Sequence, residues 1–137
     1  MSKNKEYPEI SEIPESYQRY LDIISNISKK KKGGWVTNKE IAENLQVEPA
    51  SVSGMLEKLK KTQLIKWEPR KAIRLTDKGK KYAQHLEETH SLLRTFFKDI
   101  LKIDDQDVVE KISCEIEHHI TQEVKDSFRD FILKYHK

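Results

Sequence analysis

The apolar residues that follow Pro14 recur at the spacing of an amphipathic helix. They are Tyr17, Tyr20, Leu21, Ile24 and Ile27. Since proline suits the first turn of a helix, the pattern predicts a helix from about Glu15 that ends before the four lysines and two glycines of residues 29–34. Residues 1–13 are polar and show no sustained period. We therefore expect a flexible N-terminal arm there.

Two shorter helical patterns follow, joined by a tight turn. Thr37, with Glu40 three residues later, has the arrangement of a capping box and predicts a helix over 38–45. A second apolar stripe predicts another helix from about Ala50 to Lys61, after a turn that ends at Pro49. Two short helices joined in this way are typical of a helix-turn-helix.

Two predicted strands come next, and they flank a turn. Residues 64–67 and 72–75 have strand character, and the turn at 68–71 carries a proline and two cations. A helix-turn-helix followed by such a hairpin predicts a winged helix. Small polar groups allow close approach to a base edge, and cations meet phosphates. The residues that we assign to the DNA-binding surface on these grounds are Thr37, Ser51, Ser53, Gly54, Lys58, Lys61, Arg70 and Lys71. A winged helix used only for protein contacts is the alternative.

The second half of the chain carries further helical patterns with wide apolar faces. One runs from about Lys78 to Leu101, the next follows a cap at Asp104–Asp105, and the last opens at Thr121. Their apolar surface exceeds what a small winged helix covers, so we expect a homodimer. The predicted fold is mostly α, with an arm at 1–13, a winged helix-turn-helix DNA-binding domain at 14–77 and a helical dimerisation domain at 78–137.

Composition narrows the class of protein. The chain has 137 residues, of which 36% are hydrophobic and 36% charged, and a net charge of +3. Its cations cluster around the proposed DNA-binding surface, as nucleic-acid binding requires. A single cysteine excludes an internal disulfide. No apolar run approaches the roughly 20 residues of a membrane span, and no signal peptide is evident. We expect a cytoplasmic protein without a membrane partner.

The candidate chemistry lies in the segment 112–119. If this segment is helical, Cys114, Glu117 and His118 stand at i, i+3 and i+4 and share a face. Thiolate, carboxylate and imidazole together suit a divalent transition metal. A cysteine on such a helix is otherwise a small buried hydrophobe. His90, on an apolar stripe of the preceding helix, is in the same way either a ligand or a buried core residue.

Six segments occur in order along the chain: Tyr17–Ile27, Val36–Ala42, Ser51–Ser53, Leu75–Lys80, Glu88–Leu93 and Cys114–His119. From about Glu15 onwards the chain thereby resembles the diphtheria-toxin-repressor family of metal-dependent regulators, including its manganese-transport branch. The resemblance implies that Cys114, Glu117 and His118 are metal ligands within the helical domain, and that His90 is a further ligand. It places Glu110 where iron-type members have a second-site histidine, and Glu110 can itself ligate.

Three positions depart from the family pattern. Ser16 stands where the family's first helix supplies a methionine or aspartate ligand, and Arg19 stands where the manganese branch has an acidic ligand. Arg94 replaces a glutamate of iron-type members. Ser16 is expected to ligate through its hydroxyl, its carbonyl or a water, with Glu12 or Glu15 as substitutes. The sequence also stops without the SH3-like domain of larger iron-type members.

These features predict a homodimeric, metal-activated regulator that binds double-stranded DNA at a near-palindromic operator and represses metal-uptake genes. Fe²⁺ is the first choice of metal and Mn²⁺ the second, and Co²⁺, Ni²⁺ or Zn²⁺ are substitutes. The alternative is a regulator of the same family without metal control, in which Cys114 is structural or redox-sensing. An enzyme would need an open coordination site and a general base. No such pair stands out in the sequence, so we expect neither catalysis nor a small-molecule substrate.

Overall fold

The computed structural model describes residues 7–68 and 71–135 and divides into two compact units. One unit comprises Ser16–Ala83. The other joins the chain from Gln84 onwards to the N-terminal segment up to Glu15.

The unit Ser16–Ala83 is a winged helix, as predicted from the sequence. Its elements are α1 (Glu15–Lys29), α2 (Asn38–Leu45), α3 (Pro49–Lys61), β1 (Ile65–Lys66), β2 (Arg74–Leu75) and the start of α4 (Asp77–Thr95). β1 and β2 pair antiparallel with Ile65 opposite Leu75, so the paired strands are shorter than the predicted ones. Apolar side chains that are completely buried form the core: Leu21, Ile24, Val36, Ile41, Val52, Leu56, Leu59, Leu64 and Ile73.

Local interactions set the start of α2. The Thr37 hydroxyl accepts the amide of Glu40 at 3.1 Å, and the Glu40 carboxylate accepts the amide of Thr37 at 2.9 Å, which confirms the predicted capping box. The residue before this cap is also tied to the hairpin, because Val36 and Ile73 exchange two backbone hydrogen bonds. That bridge anchors α2 beside the wing, and the apolar pattern did not predict it.

The second unit is helical. The C-terminal part of α4 continues into a π-helical turn, Phe96–Ile100, within the predicted long helix. α5 (Gln106–Ile116) follows, then a 3-10 helix, Glu117–His119, and α6 (Gln122–Tyr135). The Asp105 carboxylate accepts the amides of Asp107 and Val108, so the predicted cap of α5 is confirmed. The apolar side chains buried between these helices are Leu86, Leu93, Val109 and Ile132.

Polar groups also occupy this interior. The Lys125 ammonium on α6 is buried and lies 2.6 Å from the Glu88 carboxylate on α4. The Nε2 atom of His85 donates to the carbonyl of Ile120 at 2.8 Å. Because buried polar groups need partners, these two contacts hold α4 against α6 and the turn before it.

The N-terminal segment differs from the predicted flexible arm over its described residues. Ile10–Glu12 form a 3-10 helix that contacts the 3-10 helix Glu117–His119, and the Ile10 side chain is buried. The Glu9 carboxylate also accepts the amide of Gln122 at 3.0 Å. One isoleucine in a polar stretch has no periodicity, so only its tertiary contacts reveal that it is ordered. Residues 1–6 lie outside the described part of the chain.

Candidate metal centre and nucleic-acid interface

Three donor side chains from the second unit converge at one place. His90 projects from α4, Cys114 from α5 and Glu117 from the 3-10 helix, and the donor atoms of these residues lie within 4.8 Å of one another. Glu117 is 2% exposed, and His90 and Cys114 are partly buried. Bonds of about 2.0–2.3 Å to one ion bring its donors to within about 4.5 Å of each other, so the cluster needs only small shifts to coordinate a metal.

His90 contacts a carboxylate through each ring nitrogen. Its Nδ1 atom lies 2.7 Å from Oε1 of Glu117, and its Nε2 atom lies 2.9 Å from Oε1 of Glu110. The hydrogen bond to Glu117 raises the pKa of His90 above its ordinary value, with Glu110 adding to the rise and burial opposing it. The imidazole of His90 therefore bridges two carboxylates that come from different elements.

The carboxylate of Glu110 also forms an ion pair with the guanidinium of Arg94. The Nε atom of Arg94 donates to Oε2 of Glu110 at 2.5 Å, and Nη2 lies 3.4 Å from Oε1. Arg94, with His90 second, lowers the pKa of Glu110 to about 2. The carboxylate is therefore ionised and already paired on both oxygens.

The end of α5 determines which predicted ligands meet. The α-helix ends at Ile116, and Glu117 and His118 belong to the following 3-10 helix. A 3-10 helix turns by three residues rather than 3.6, so the i, i+4 relation expected between Cys114 and His118 is not kept. His118 is 2% exposed, its Nε2 atom lies 3.9 Å from Oε2 of Glu117, and it is not part of the three-donor cluster within the described chain.

Three residues of the N-terminal region were predicted as possible metal ligands, and the structure places each of them differently. Ser16 is exposed on α1, in the winged-helix unit, and its role as a ligand stays a prediction. Glu15 lies 3.7 Å from Nε2 of His119, measured from its Oε1 atom. Glu12 is exposed and belongs to the 3-10 helix that contacts residues 117–119.

The donor set fits a divalent transition metal. A buried carboxylate is costly unless a cation or several hydrogen bonds compensate it, and Glu117 meets this need through a histidine that is itself a metal-binding side chain. Thiolate and imidazole are ligands for iron, cobalt, nickel and zinc, and a carboxylate widens the range to manganese. His90, Cys114 and Glu117 are thus able to hold such an ion.

Several residues assigned to the DNA-binding surface lie exposed on the winged helix. Thr37 starts α2, and Ser51, Gly54, Lys58 and Lys61 are exposed on α3. Lys71 is exposed in the turn of the wing, between β1 and β2. Arg70 lies outside the described residues.

Ser53 differs from the other assigned residues. It is partly buried, and its hydroxyl accepts a hydrogen bond from Nδ2 of Asn38 at 2.9 Å. Its O–H group is still able to donate. Ser53 therefore links α3 to the start of α2, in addition to any contact it makes with a ligand.

An open groove of about 670 Å³ separates α3 and the start of α2 from the wing. Lys39 and Lys71 line it from opposite elements, with Gly54 and Glu57 on α3 between them. Sequence reasoning missed Lys39. A cation in the first turn of a helix is unfavourable beside the positive end of the helix dipole, and that mismatch was the available signal of a role in ligand contact.

Taken together, the two units define a class of protein. A winged helix with a cation-lined recognition surface and a helical unit with clustered His, Cys and Glu donors are the parts of a metal-responsive DNA-binding regulator.

Comparison with known families agrees with this class. Residues 12–73 match the iron dependent repressor N-terminal DNA binding domain, and residues 76–137 match the iron dependent repressor metal binding and dimerisation domain. The chain belongs to the iron-dependent repressor family, which confirms the resemblance found in the sequence.

Individual relatives are transcription regulators. The chain is 34% identical over 117 residues to the HTH-type transcriptional regulator MntR of Oceanobacillus iheyensis, covering 85% of this chain and 77% of that protein. The metal-dependent transcriptional regulator MtsR superposes with a TM-score of 0.72 at 28% identity, over 87% of this chain and 54% of its own. The manganese regulator SloR has a TM-score of 0.68 at 26% identity, over 85% and 53%. The chain thus spans about half the length of these two solved structures.

Within the described residues, no helix combines the length and the apolar character needed to cross a membrane.

Proposed function

We propose that this protein is a homodimeric, metal-activated regulator that binds a near-palindromic operator and represses genes of metal uptake. The observation that carries the proposal is the cluster of His90, Cys114 and Glu117, whose donor atoms lie within 4.8 Å of one another. Membership of a family with a metal-binding and dimerisation domain supports it.

Fe²⁺ is the proposed metal, with Mn²⁺ second. A thiolate ligand favours softer and later metals than manganese, and Cys114 supplies that thiolate. The solved relative SloR is named a manganese regulator, which supports Mn²⁺ as the second choice. Co²⁺, Ni²⁺ and Zn²⁺ are expected to substitute in vitro.

His90, Cys114 and Glu117 would hold the metal, which supplies positive charge beside a buried carboxylate. The nitrogen of His90 and the sulfur of Cys114 that bind the ion must each be free of a proton. In the structure Nδ1 of His90 lies 2.7 Å from Oε1 of Glu117. We propose His118 and Ser16 as further ligands, and Glu110 is treated separately below.

A second copy of the chain is the proposed partner of the helical unit. Large apolar side chains are exposed on α5 and α6, including Val108 at 48%, Phe131 at 49% and Tyr135 at 52%. Exposed apolar surface of this kind marks an interface. Two copies related by a twofold axis present two recognition helices, and such a dimer reads two half-sites of a palindrome.

The α3 helix is proposed to enter the major groove of DNA. Its exposed residues combine small groups near the start, Ser51 and Gly54, with Lys58 and Lys61 near the end. The lysines would meet phosphates, so affinity should fall as salt rises, by about one unit of log–log slope for each phosphate contact.

Operator binding by variant proteins tests the metal model. Fluorescence anisotropy with a duplex selected from a random pool would compare binding with and without Fe²⁺ or Mn²⁺ at equal free metal. Cys114→Ala and Glu117→Ala should lose the stimulation by metal. Glu115→Ala, an exposed neighbour on the same helix, should keep it and serves as the matched control.

Unchanged metal stimulation in Cys114→Ala and Glu117→Ala would refute the proposed centre. Tight binding by the parent protein without any metal would instead favour a regulator that lacks metal control. Absence of salt-dependent DNA binding under all conditions would refute the regulator itself.

A further inference from the structure

Four ionisable side chains form a continuous line that leads from the surface into the donor cluster. Arg94 contacts Glu110 at 2.5 Å, Glu110 contacts Nε2 of His90 at 2.9 Å, and Nδ1 of His90 contacts Glu117 at 2.7 Å. Arg94 lies one helical turn after His90 on α4, and Glu110 lies one turn before Cys114 on α5. Members from α4 therefore alternate with members from the elements that follow it, α5 for Glu110 and the 3-10 helix for Glu117.

The imidazole of His90 is oriented by this arrangement. When one ring nitrogen binds a metal, the other carries the proton and needs an acceptor, which fixes both the tautomer and the ring plane. The acceptor at Nε2 is Glu110, which leaves Nδ1 on the side of Glu117. Nδ1 is thereby the nitrogen available to share a metal with Cys114 and Glu117.

Glu110 is in turn occupied by Arg94. A guanidinium stays protonated under all ordinary conditions and presents its donors in a rigid fork. Its Nε and Nη2 atoms contact different oxygens of the Glu110 carboxylate, at 2.5 Å and 3.4 Å. A second divalent cation at Glu110 would have to displace this fixed positive charge or lie beside it, and both are unfavourable.

We propose that Glu110 and Arg94 are positioning residues rather than ligands. Glu110 accepts a hydrogen bond from the Nε2–H group of His90, and the guanidinium of Arg94 fixes the Glu110 carboxylate in place. Each chain then binds one metal ion at this cluster. This inference rests on the proposed metal site and replaces the expectation that Glu110 ligates a metal directly.

Cobalt titration of the metal-free protein provides the test. Coordination by Cys114 gives a thiolate-to-cobalt charge-transfer band in the near ultraviolet, elemental analysis gives the number of ions per chain, and competition with a chelator gives the Kd. The parent should bind one Co²⁺ with the band. Glu110→Ala should keep the band and weaken Kd about 10–100-fold, as loss of a residue that orients a ligand does.

Substitution by glutamine separates positioning from ligation. The amide oxygen of Glu110→Gln still accepts the Nε2 proton but is a poor metal ligand, so this variant should recover most of the lost affinity. Arg94→Lys should likewise bind more tightly than Arg94→Ala, because an ammonium retains the charge at Glu110. Lys111→Ala, exposed on the same helix, is the matched control and should match the parent.

Two ions per parent chain, a Glu110→Ala variant with parental Kd, or a glutamine variant as weak as the alanine variant would each overturn the inference and leave the metal centre in place. Absence of the charge-transfer band in the parent would refute the centre itself, and the inference with it.

Discussion

Gly79 lies in the first turn of α4, where its backbone packs against Leu64, just before β1, and against Leu75 of β2. A Cβ atom at this position would lie 2.2 Å from the carbonyl oxygen of Leu64 and 3.3 Å from the Leu75 side chain. The Leu64 oxygen is not free to move, because it accepts the amide of Thr76 at 3.1 Å. We expect Gly79→Ala to destabilise the winged helix.

The magnitude follows from two opposing effects. Alanine is favoured over glycine inside a helix by about 1 kcal/mol. Overpacking typically costs about 1–3 kcal/mol, and the upper end applies here because a backbone contact must open from 2.2 Å to at least 3.0 Å. The net loss is therefore about 2 kcal/mol, which corresponds to a decrease in Tm of roughly 5–10 °C for a chain of this size.

Gly54→Ala is the matched control for this effect. Gly54 lies inside α3, and a Cβ atom there would meet nothing within 4 Å. Only helix propensity then acts, so the variant should gain about 1 kcal/mol. Because Gly54 belongs to the proposed DNA-binding surface, the same variant should bind DNA more weakly although it is more stable.

Urea unfolding followed by circular dichroism, with a chelator present, measures both variants against the parent. Equal stability of Gly79→Ala and Gly54→Ala would refute the reasoning, since it would mean that the Leu64 contact does not limit the size of residue 79. A destabilised Gly54→Ala would contradict its open surroundings.

Three further predictions concern stability and use the same unfolding assay. Thr37→Ala should cost about 1 kcal/mol through loss of the cap, and Thr37→Ser should restore it; equal stability of both would contradict the capping role. Glu88→Gln should cost about 1–2 kcal/mol, because it leaves the buried Lys125 ammonium without its carboxylate, whereas Glu123→Gln, exposed on α6, should be neutral. Burial lowers the pKa of His85 in the folded chain. Below about pH 6.5 the unfolded chain therefore binds a proton more readily than the folded chain does, and the free energy of unfolding should fall as the pH drops. His85→Gln keeps an N–H donor and should lose less stability than the parent between about pH 7 and pH 5; equal losses would count against this account.

Local signals were sufficient to predict where α2 and α3 start. The capping box at Thr37 and the proline at Pro49 act within one helical turn, so they are visible without knowledge of the fold. The wing was also predicted, but its strands were overestimated, because pairing depends on which backbone groups meet across the hairpin. The bridge between Val36 and Ile73 is a long-range pairing of this kind.

By itself, the sequence determined the family, through its resemblance to known members. It also determined the order of the helices and the types of donor side chain, because these depend on composition and on spacing within one or two turns. Tertiary structure alone decided which donors meet. His90 and Glu117 lie on separate elements, and their contact depends on how α4 packs on α5. The end of α5 at Ile116 and the pairing of Arg94 with Glu110 likewise decided which of the expected ligands joined the cluster. Such contacts are determined by packing between helices, for which local spacing contains no signal.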